Sequence, residues 1–122
     1  MTSTLRIYSY SACTTCKKAL KWLDENQIDY QLIDIAQCPP DKDILSVAIK
    51  QLGNRKKVFN TSGLSYRNLG SKVVQSMSDD EAIQALASDG KLIKRPFLIT
   101  DKGQILVGFK PDAWSDILLL QH

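Results

Sequence analysis

At 122 residues, with 43% hydrophobic side chains and a formal net charge of +3, the chain has the size and composition of one globular domain. No apolar run approaches the about 20 residues of a membrane-spanning helix, and residues 1–6 lack the features of a signal peptide. We therefore expect a cytoplasmic protein that does not bind membranes and has one domain over residues 1–122. The basic residues form small groups without an aromatic ladder, so we expect no direct binding to nucleic acid. We also expect a monomer.

The first predicted elements surround a pair of cysteines. Residues 5–8 predict a strand, and the helical spacing of apolar residues from Cys13 and Cys16 to about Asn26 predicts an amphipathic helix. Residues 30–35 predict a second strand. Strand, helix and strand within about 30 residues form a βαβ unit with parallel strands, which places the cysteines at the carboxyl end of the first strand.

Helices dominate the predicted middle of the chain. Residues 41–52 predict a helix that ends at Gly53, where a glycine can adopt the left-handed conformation of a helix end. Ser78 and Glu81 have the spacing of a capping box and begin another predicted helix, which we expect to end near Gly90.

A β-hairpin and a last helix complete the predicted chain. Residues 96–100 and 105–109 are apolar runs on either side of a polar turn, and Pro111 begins a helix whose apolar positions include Leu120. The order βαβ, helices, ββα predicts an α/β fold with a thioredoxin-like mixed sheet. The helices at approximately residues 40–90 lie between its two halves.

The start of the first helix suits Cys13 for nucleophilic chemistry. Free backbone N–H groups and the helix dipole favour a thiolate there, so we expect a lowered pKa for Cys13. Cys16 lies one turn into the helix and suits a resolving cysteine. The competing interpretations are a structural pair and a zinc site. Zinc needs two further ligands, and the chain offers only Cys38 and His122, so we predict no metal and take Cys38 as an incidental loop thiol.

Arg95 and Pro96 stand just before the third strand. Pro96 either begins an edge strand or forms a cis peptide bond beside the thiols, with Arg95 donating to a bound anion or to the thiolate. The thioredoxin-like order favours the second interpretation. We predict three catalytic residues, Cys13, Cys16 and Arg95, and four substrate-binding residues, Ala12, Thr14, Thr15 and Pro96.

Several motifs resemble the arsenate reductase/Spx/MgsR family of thioredoxin-fold proteins. They are residues 10–19 with Trp22, residues 59–63 with Tyr66 and Arg67, residues 94–96, and Gly108 with Phe109. The resemblance implies a glutaredoxin-like sheet with a helical insertion between its halves. In glutaredoxin-linked arsenate reductases one cysteine attacks arsenate and arginines clamp the oxyanion; the matching residues here are Cys13 and Arg95.

The sequence departs from that pattern at two oxyanion-binding arginines. One matches Gly108, and another falls near residues 55–57 without a secure match. The departure argues against arsenate as the main substrate. A glycine there, combined with the cysteine pair, is similar to Spx-type regulators, whose cysteines form a redox switch and which bind the C-terminal domain of the RNA polymerase α subunit. The resemblance places Gly53 near the position at which Spx carries a glycine in its contact with the polymerase.

Two functions therefore stay open. The first is a thiol-dependent oxidoreductase that reduces a disulfide, a glutathione mixed disulfide or, as a weaker candidate, arsenate. We expect no bound cofactor. The expected electron donor is glutathione with glutaredoxin, or thioredoxin. The alternative is a redox-switched transcription regulator of the Spx/MgsR type that binds the RNA polymerase α subunit.

Overall fold

A four-stranded mixed sheet forms the centre of the computed structural model, which describes residues 5–119. The spatial order is β2-β1-β3-β4, with β1 parallel to β2 and β3 antiparallel to both β1 and β4. The strands are β1 (Leu5–Ser9), β2 (Tyr30–Asp34), β3 (Phe97–Ile99) and β4 (Ile105–Val107). This topology confirms the predicted thioredoxin-like α/β fold.

Six α-helices and two short 3-10 turns lie among the described residues. The α-helices are α1 (Thr14–Glu25), α2 (Lys42–Leu52), α3 (Leu64–Leu69), α4 (Ser71–Ser76), α5 (Asp79–Ser88) and α6 (Pro111–Leu118). The 3-10 turns are Arg55–Lys57 and Gly90–Leu92. Within residues 5–119, none of the helices combines the length and apolar composition needed to cross a membrane. Leu120 and His122 lie outside the described residues.

Alternating side chains of the central strands divide the core into two layers. Ile7 and Leu98 pack with α1 and with Trp114 of α6 on one face of the sheet. Tyr8 and Phe97 face the opposite side, where buried residues of α2, α4 and α5 cover the sheet. The sheet therefore holds α1, whose N-terminus carries the cysteines, on one face and the helices of the central segment on the other.

Local capping sets the ends of α2 and the start of α5 where the sequence predicted them. The Asp41 carboxylate accepts a hydrogen bond from the N–H of Ile44 at 2.9 Å, and Gly53 ends α2 in the left-handed conformation with φ 78°. Ser78 and Glu81 form the complete capping box of α5. These boundaries follow from residues close in sequence, which explains why they could be predicted.

Helix α5 ends close to Gly90, as the sequence predicted, but Gly90 does not adopt the left-handed conformation of a glycine helix end. The helix ends at Ser88, and Gly90 is the first residue of the following 3-10 turn. A Cβ atom at Gly90 would lie 1.8 Å from the carbonyl oxygen of Ile35. The glycine is therefore required by the close approach of this turn to the chain after β2.

Candidate thiol active site

Cys13 is the N-cap residue of α1. Its backbone is extended, with φ −95° and ψ 114°, and its Sγ accepts a hydrogen bond from the backbone N–H of Cys16 at 3.3 Å. A side-chain acceptor in this position satisfies one of the free N–H groups of the first helical turn. The same N–H groups, with the positive end of the helix dipole, stabilise a negative charge on the sulfur.

The ionisation of Cys13 is controlled by burial, Cys16 and Arg95. Partial burial by itself raises the pKa of Cys13. Hydrogen bonds from the side chain and backbone of Cys16, followed by hydrogen bonding and the positive charge of Arg95, outweigh that effect and lower the pKa below its ordinary value. The direction agrees with the prediction from the sequence, and Arg95 contributes to it.

Cys16 is ionised far less readily than Cys13. It is fully buried, and this burial, the hydrogen bond to Cys13 and the charge of Cys13 raise the pKa of Cys16 to about 11. At pH 7 only about one molecule in 10,000 would then carry a Cys16 thiolate. The pair therefore consists of one partly exposed thiol with a lowered pKa and one buried thiol that hydrogen-bonds to it.

Arg95 is held beside the loop that leads into α1. Its guanidinium carbon lies 4.9 Å from the ring centroid of Tyr10, and its Nη1 donates to the carbonyl oxygen of Lys91 at 3.4 Å. The peptide bond between Arg95 and Pro96 is cis, as the sequence favoured. Pairing of β1 with β3 brings this segment next to the cysteine loop.

A cavity of about 440 Å³, named here the thiol pocket, opens at Cys13. Its walls contain Thr15, Arg95, residues 60, 62 and 63, Lys94, and residues 108–110. Among the predicted substrate-binding residues, Thr15 lies in this wall, whereas Ala12 and Thr14 are exposed beside Cys13 in the chain. Pro96 is buried, and its carbonyl oxygen accepts a hydrogen bond from the N–H of Gly108 at 2.9 Å.

Cys38 lies apart from the cysteine pair. It is exposed in the turn that follows β2, and its backbone N–H donates to the carbonyl oxygen of Asp34 at 2.8 Å. His122, the other residue considered for zinc, lies outside the described residues. The structure thus brings Cys13, Cys16 and Arg95 together, without Cys38.

One wall of the thiol pocket comes from a segment whose position the sequence did not predict. The N–H of Asn60 donates to the carbonyl oxygen of Leu92 at 2.7 Å, and the N–H of Lys94 donates to that of Val58 at the same distance. A Cβ atom at Gly63 would lie 2.5 Å from the Asn60 side chain, so the glycine lets that side chain fold over it. The motif at residues 59–63 was visible in the sequence, but its contact with the chain before Arg95 is long-range.

Arg55 has a different role from an oxyanion-binding arginine. Its Nη1 lies 3.3 Å from the carboxylate of Asp79, and its Nη2 donates to the carbonyl oxygens of Val74 and Gln75 at 3.2 and 3.1 Å. These contacts, named here the arginine clip, join the end of α4 to the start of α5. Arg55 therefore stabilises the helical segment and does not line the thiol pocket.

The side chain of Lys94 packs close to the backbone of Gly108. Gly108 has φ 71°, and a Cβ atom there would lie 3.1 Å from Cε of Lys94. The next residue, Phe109, stacks edge-on against Trp114 and Trp22 with centroid distances of 5.0 and 6.1 Å. This aromatic cluster fixes α1, α6 and the end of the hairpin relative to one another.

Comparisons with known proteins agree with this architecture. The model of the ArsC family matches residues 8–117. The uncharacterized protein YusI of Bacillus subtilis (strain 168) is 46% identical over 114 residues, which is 92% of this chain and 96% of YusI. A crystal structure of a possible arsenate reductase from Streptococcus mutans UA159 has 42% identity and a TM-score of 0.85, covering 95% of this chain and 98% of that one. Regulatory protein MgsR of Bacillus subtilis (strain 168) is 27% identical over 115 residues, covering 91% of this chain and 87% of MgsR.

Proposed function

The chain belongs to the ArsC family, as its motifs indicated, and we propose that it is a thiol-disulfide oxidoreductase with Cys13 as the nucleophile. The observation that supports this most directly is the contrast between the two thiols. Cys13 has a lowered pKa and faces a cavity, whereas the pKa of the buried Cys16 is raised to about 11. A helix-capping thiol that ionises alone, next to a cation and an open cavity, is suited to attack a disulfide.

The proposed first step is attack on a glutathione mixed disulfide. The Cys13 thiolate attacks the glutathione sulfur, a Cys13–glutathione disulfide forms, and the original S–S bond breaks. Its electron pair leaves on the sulfur of the other half of the substrate, which then takes a proton from water. Arg95 is a donor for the anionic groups of the substrate, because its guanidinium lines the same pocket as Cys13.

The proposed second step uses Cys16. Its thiolate attacks Sγ of Cys13, forming a Cys13–Cys16 disulfide and releasing glutathione. Part of the raised pKa of Cys16 comes from hydrogen bonding with Cys13 and from its charge, and this part disappears once Cys13 is in a mixed disulfide. Glutathione, directly or through glutaredoxin, or alternatively thioredoxin, then returns two electrons to the disulfide.

Arsenate is the weaker substrate candidate. Its recognition by several guanidinium groups needs arginines at the thiol pocket, and two positions considered for them do not supply any. Gly108 has no side chain, and Arg55 makes its contacts with α4 and α5. Arg95 is therefore the arginine that the described residues offer to an anion in this pocket.

A redox-switched regulator is the second candidate. The relationship to regulatory protein MgsR supports it, and so does the hydrogen bond from the Cys16 N–H to Cys13 Sγ. Oxidation to a Cys13–Cys16 disulfide would take away the thiolate that caps α1 and alter the start of that helix. Such a change would alter docking on the RNA polymerase α subunit. By analogy with Spx, the exposed region around Gly53 at the end of α2 would contact that subunit.

The two candidates are separated by turnover. A glutathionylated peptide is incubated with glutathione, glutathione reductase and NADPH, and wild type is compared with Cys13→Ser, Cys16→Ser and Cys38→Ser. We expect Cys13→Ser to lose more than about 1,000-fold in kcat/KM, and the matched control Cys38→Ser to retain wild-type activity. Absence of turnover on any disulfide or arsenate, together with redox-dependent binding to the RNA polymerase α subunit, would overturn the enzyme and support the regulator.

A further inference from the structure

A second cavity adjoins the thiol pocket. It has a volume of about 590 Å³ and shares Lys94 and Lys110 with the thiol pocket, so these two lysines form the boundary between the cavities. We name the second cavity the lysine groove. A substrate that reacts at Cys13 and extends past this boundary would enter the groove.

Four lysines surround the groove. Lys56 and Lys57 come from the 3-10 turn after α2, Lys94 precedes Arg95, and Lys110 is the N-cap residue of α6. Among the described residues that line the groove, none is a carboxylate. Charge complementarity therefore favours an anionic occupant.

The floor of the groove is apolar. Its apolar lining includes Leu106 and Val107 of β4, which are partly exposed, and Phe59 and Trp114, which are almost fully buried. A floor of aliphatic and aromatic side chains below a cationic rim matches a ligand that carries apolar groups as well as negative charge. Glutathione is polar throughout, so this combination fits an acidic and partly apolar peptide better than a second glutathione.

Strand β4 lies at the edge of the sheet beside the groove, and the backbone N–H of its first residue is hydrogen-bonded to a side chain. The N–H of Ile105 donates to Oε1 of Gln51 at 2.9 Å, and Nε2 of Gln51 donates to the carbonyl oxygen of Gly103 at 2.9 Å. Backbone groups of an edge strand alternate in direction, so the N–H of Val107 faces the same outer edge as that of Ile105. Val107 lies at the end of β4 near the thiol pocket, where an extended peptide could pair with it.

We propose that the lysine groove binds an acidic, partly apolar peptide segment of a protein substrate, next to the cysteine that carries glutathione. This inference rests on the proposed function for its reaction. Cys13 takes the glutathione group in the thiol pocket, and the protein sulfur leaves towards the groove as a thiolate that is then protonated. The groove thus selects which protein mixed disulfides are reduced.

The test compares two fluorescein-labelled peptides of equal length. One has Glu, Asp, Leu and Phe around a central position, and the other has Lys and Arg in place of the acidic residues. With alanine at the centre the peptides report binding by fluorescence anisotropy, and with glutathionylated cysteine they report kcat/KM. The proteins are wild type, the double variant Lys56→Glu/Lys57→Glu, and the matched control Lys72→Glu/Lys102→Glu, whose exposed lysines lie outside the groove.

We expect wild type and the control to prefer the acidic peptide, and Lys56→Glu/Lys57→Glu to lose about tenfold in affinity for it. The same loss is expected in kcat/KM for the acidic peptide, with little change for the small mixed disulfide of glutathione and 2-mercaptoethanol. Equal binding of both peptides, an unchanged affinity in Lys56→Glu/Lys57→Glu, or equal competition by single-stranded DNA of the same charge would overturn the proposal. Selective binding of the acidic peptide without any turnover would support the groove and overturn the oxidoreductase.

Discussion

Arg95 in the thiol pocket and Arg55 in the arginine clip show how one type of side chain serves two regions differently. Arg55 uses both terminal nitrogens on protein acceptors, namely two carbonyl oxygens and the carboxylate of Asp79. Arg95 rests against Tyr10, donates to the carbonyl oxygen of Lys91 and hydrogen-bonds to the Cys13 sulfur. A guanidinium has five N–H donors, so Arg95 keeps several for a ligand, whereas those of Arg55 are directed into the fold.

Gly90→Ala should have the largest effect on the helical region. The added Cβ atom would meet the backbone of Ile35 at 1.8 Å, so the 3-10 turn and the chain after β2 must separate. We expect a loss of about 3 kcal/mol in the free energy of unfolding, measured by urea denaturation. Gly53→Ala is the matched control, because it has φ 78° but open space, and should lose about 1 kcal/mol. Equal losses for both variants would contradict the close contact.

Arg55→Ala should destabilise the protein without changing its thiol chemistry. The substitution leaves carbonyl oxygens of Val74 and Gln75 without their charged donor, and hydrogen bonds to charged groups typically contribute about 1.5–3 kcal/mol. We expect a loss of about 2 kcal/mol by urea denaturation and an unchanged pH dependence of Cys13 alkylation. A shifted pH dependence would mean that Arg55 also acts on the thiol pocket.

Arg95→Ala should give the opposite result. Loss of the guanidinium removes a hydrogen-bonding and electrostatic contribution that lowers the pKa of Cys13, so that pKa rises and less thiolate is present below it. We expect slower alkylation of Cys13 by iodoacetamide at neutral pH, a pH profile displaced to higher pH, and little change in stability at mildly acidic pH, where the Cys13 thiol is protonated. Arg95→Lys keeps a positive charge and should restore part of the reactivity. An undisplaced profile would remove Arg95 from the ionisation of Cys13.

The pH dependence of stability should show the smallest effect. Because the pKa of Cys13 is lower in the folded protein than in the unfolded chain, its thiolate stabilises the fold fully above the ordinary thiol pKa of about 8.5. That contribution is lost as pH falls through the folded-state pKa. Reduced wild type should therefore gain stability over Cys13→Ser between mildly acidic pH and about pH 8.5, measured by urea denaturation. A constant difference across this range would contradict a lowered pKa.

The sequence predicted features that depend on neighbouring residues. Helix caps such as Asp41, the parallel βαβ unit and the position of Cys13 at the start of α1 all follow from local patterns. The functions of Arg55 and Gly90 depend on partners distant in sequence, Asp79 and Ile35, and could not be derived from a local pattern.

The cationic surface illustrates the same limit. In the sequence, Lys56 and Lys57 belong to one small basic group and Lys94 to another, and no aromatic ladder accompanies them. The hydrogen bond from the Lys94 N–H to the carbonyl oxygen of Val58 brings the two groups together beside Lys110. Convergence on one groove therefore became visible only from the tertiary structure.

Trapping the first mixed disulfide tests the assignment of Cys13 most directly. The variant Cys16→Ser/Cys38→Ser is mixed with one equivalent of glutathionylated peptide, quenched with acid and analysed by mass spectrometry with peptide mapping. We expect one glutathione on Cys13 and stoichiometric release of the peptide thiol, whereas Cys13→Ser/Cys38→Ser should form no comparable adduct on Cys16. Equal modification of Cys16 in the second variant, or no adduct on Cys13 in the first, would contradict Cys13 as the nucleophile.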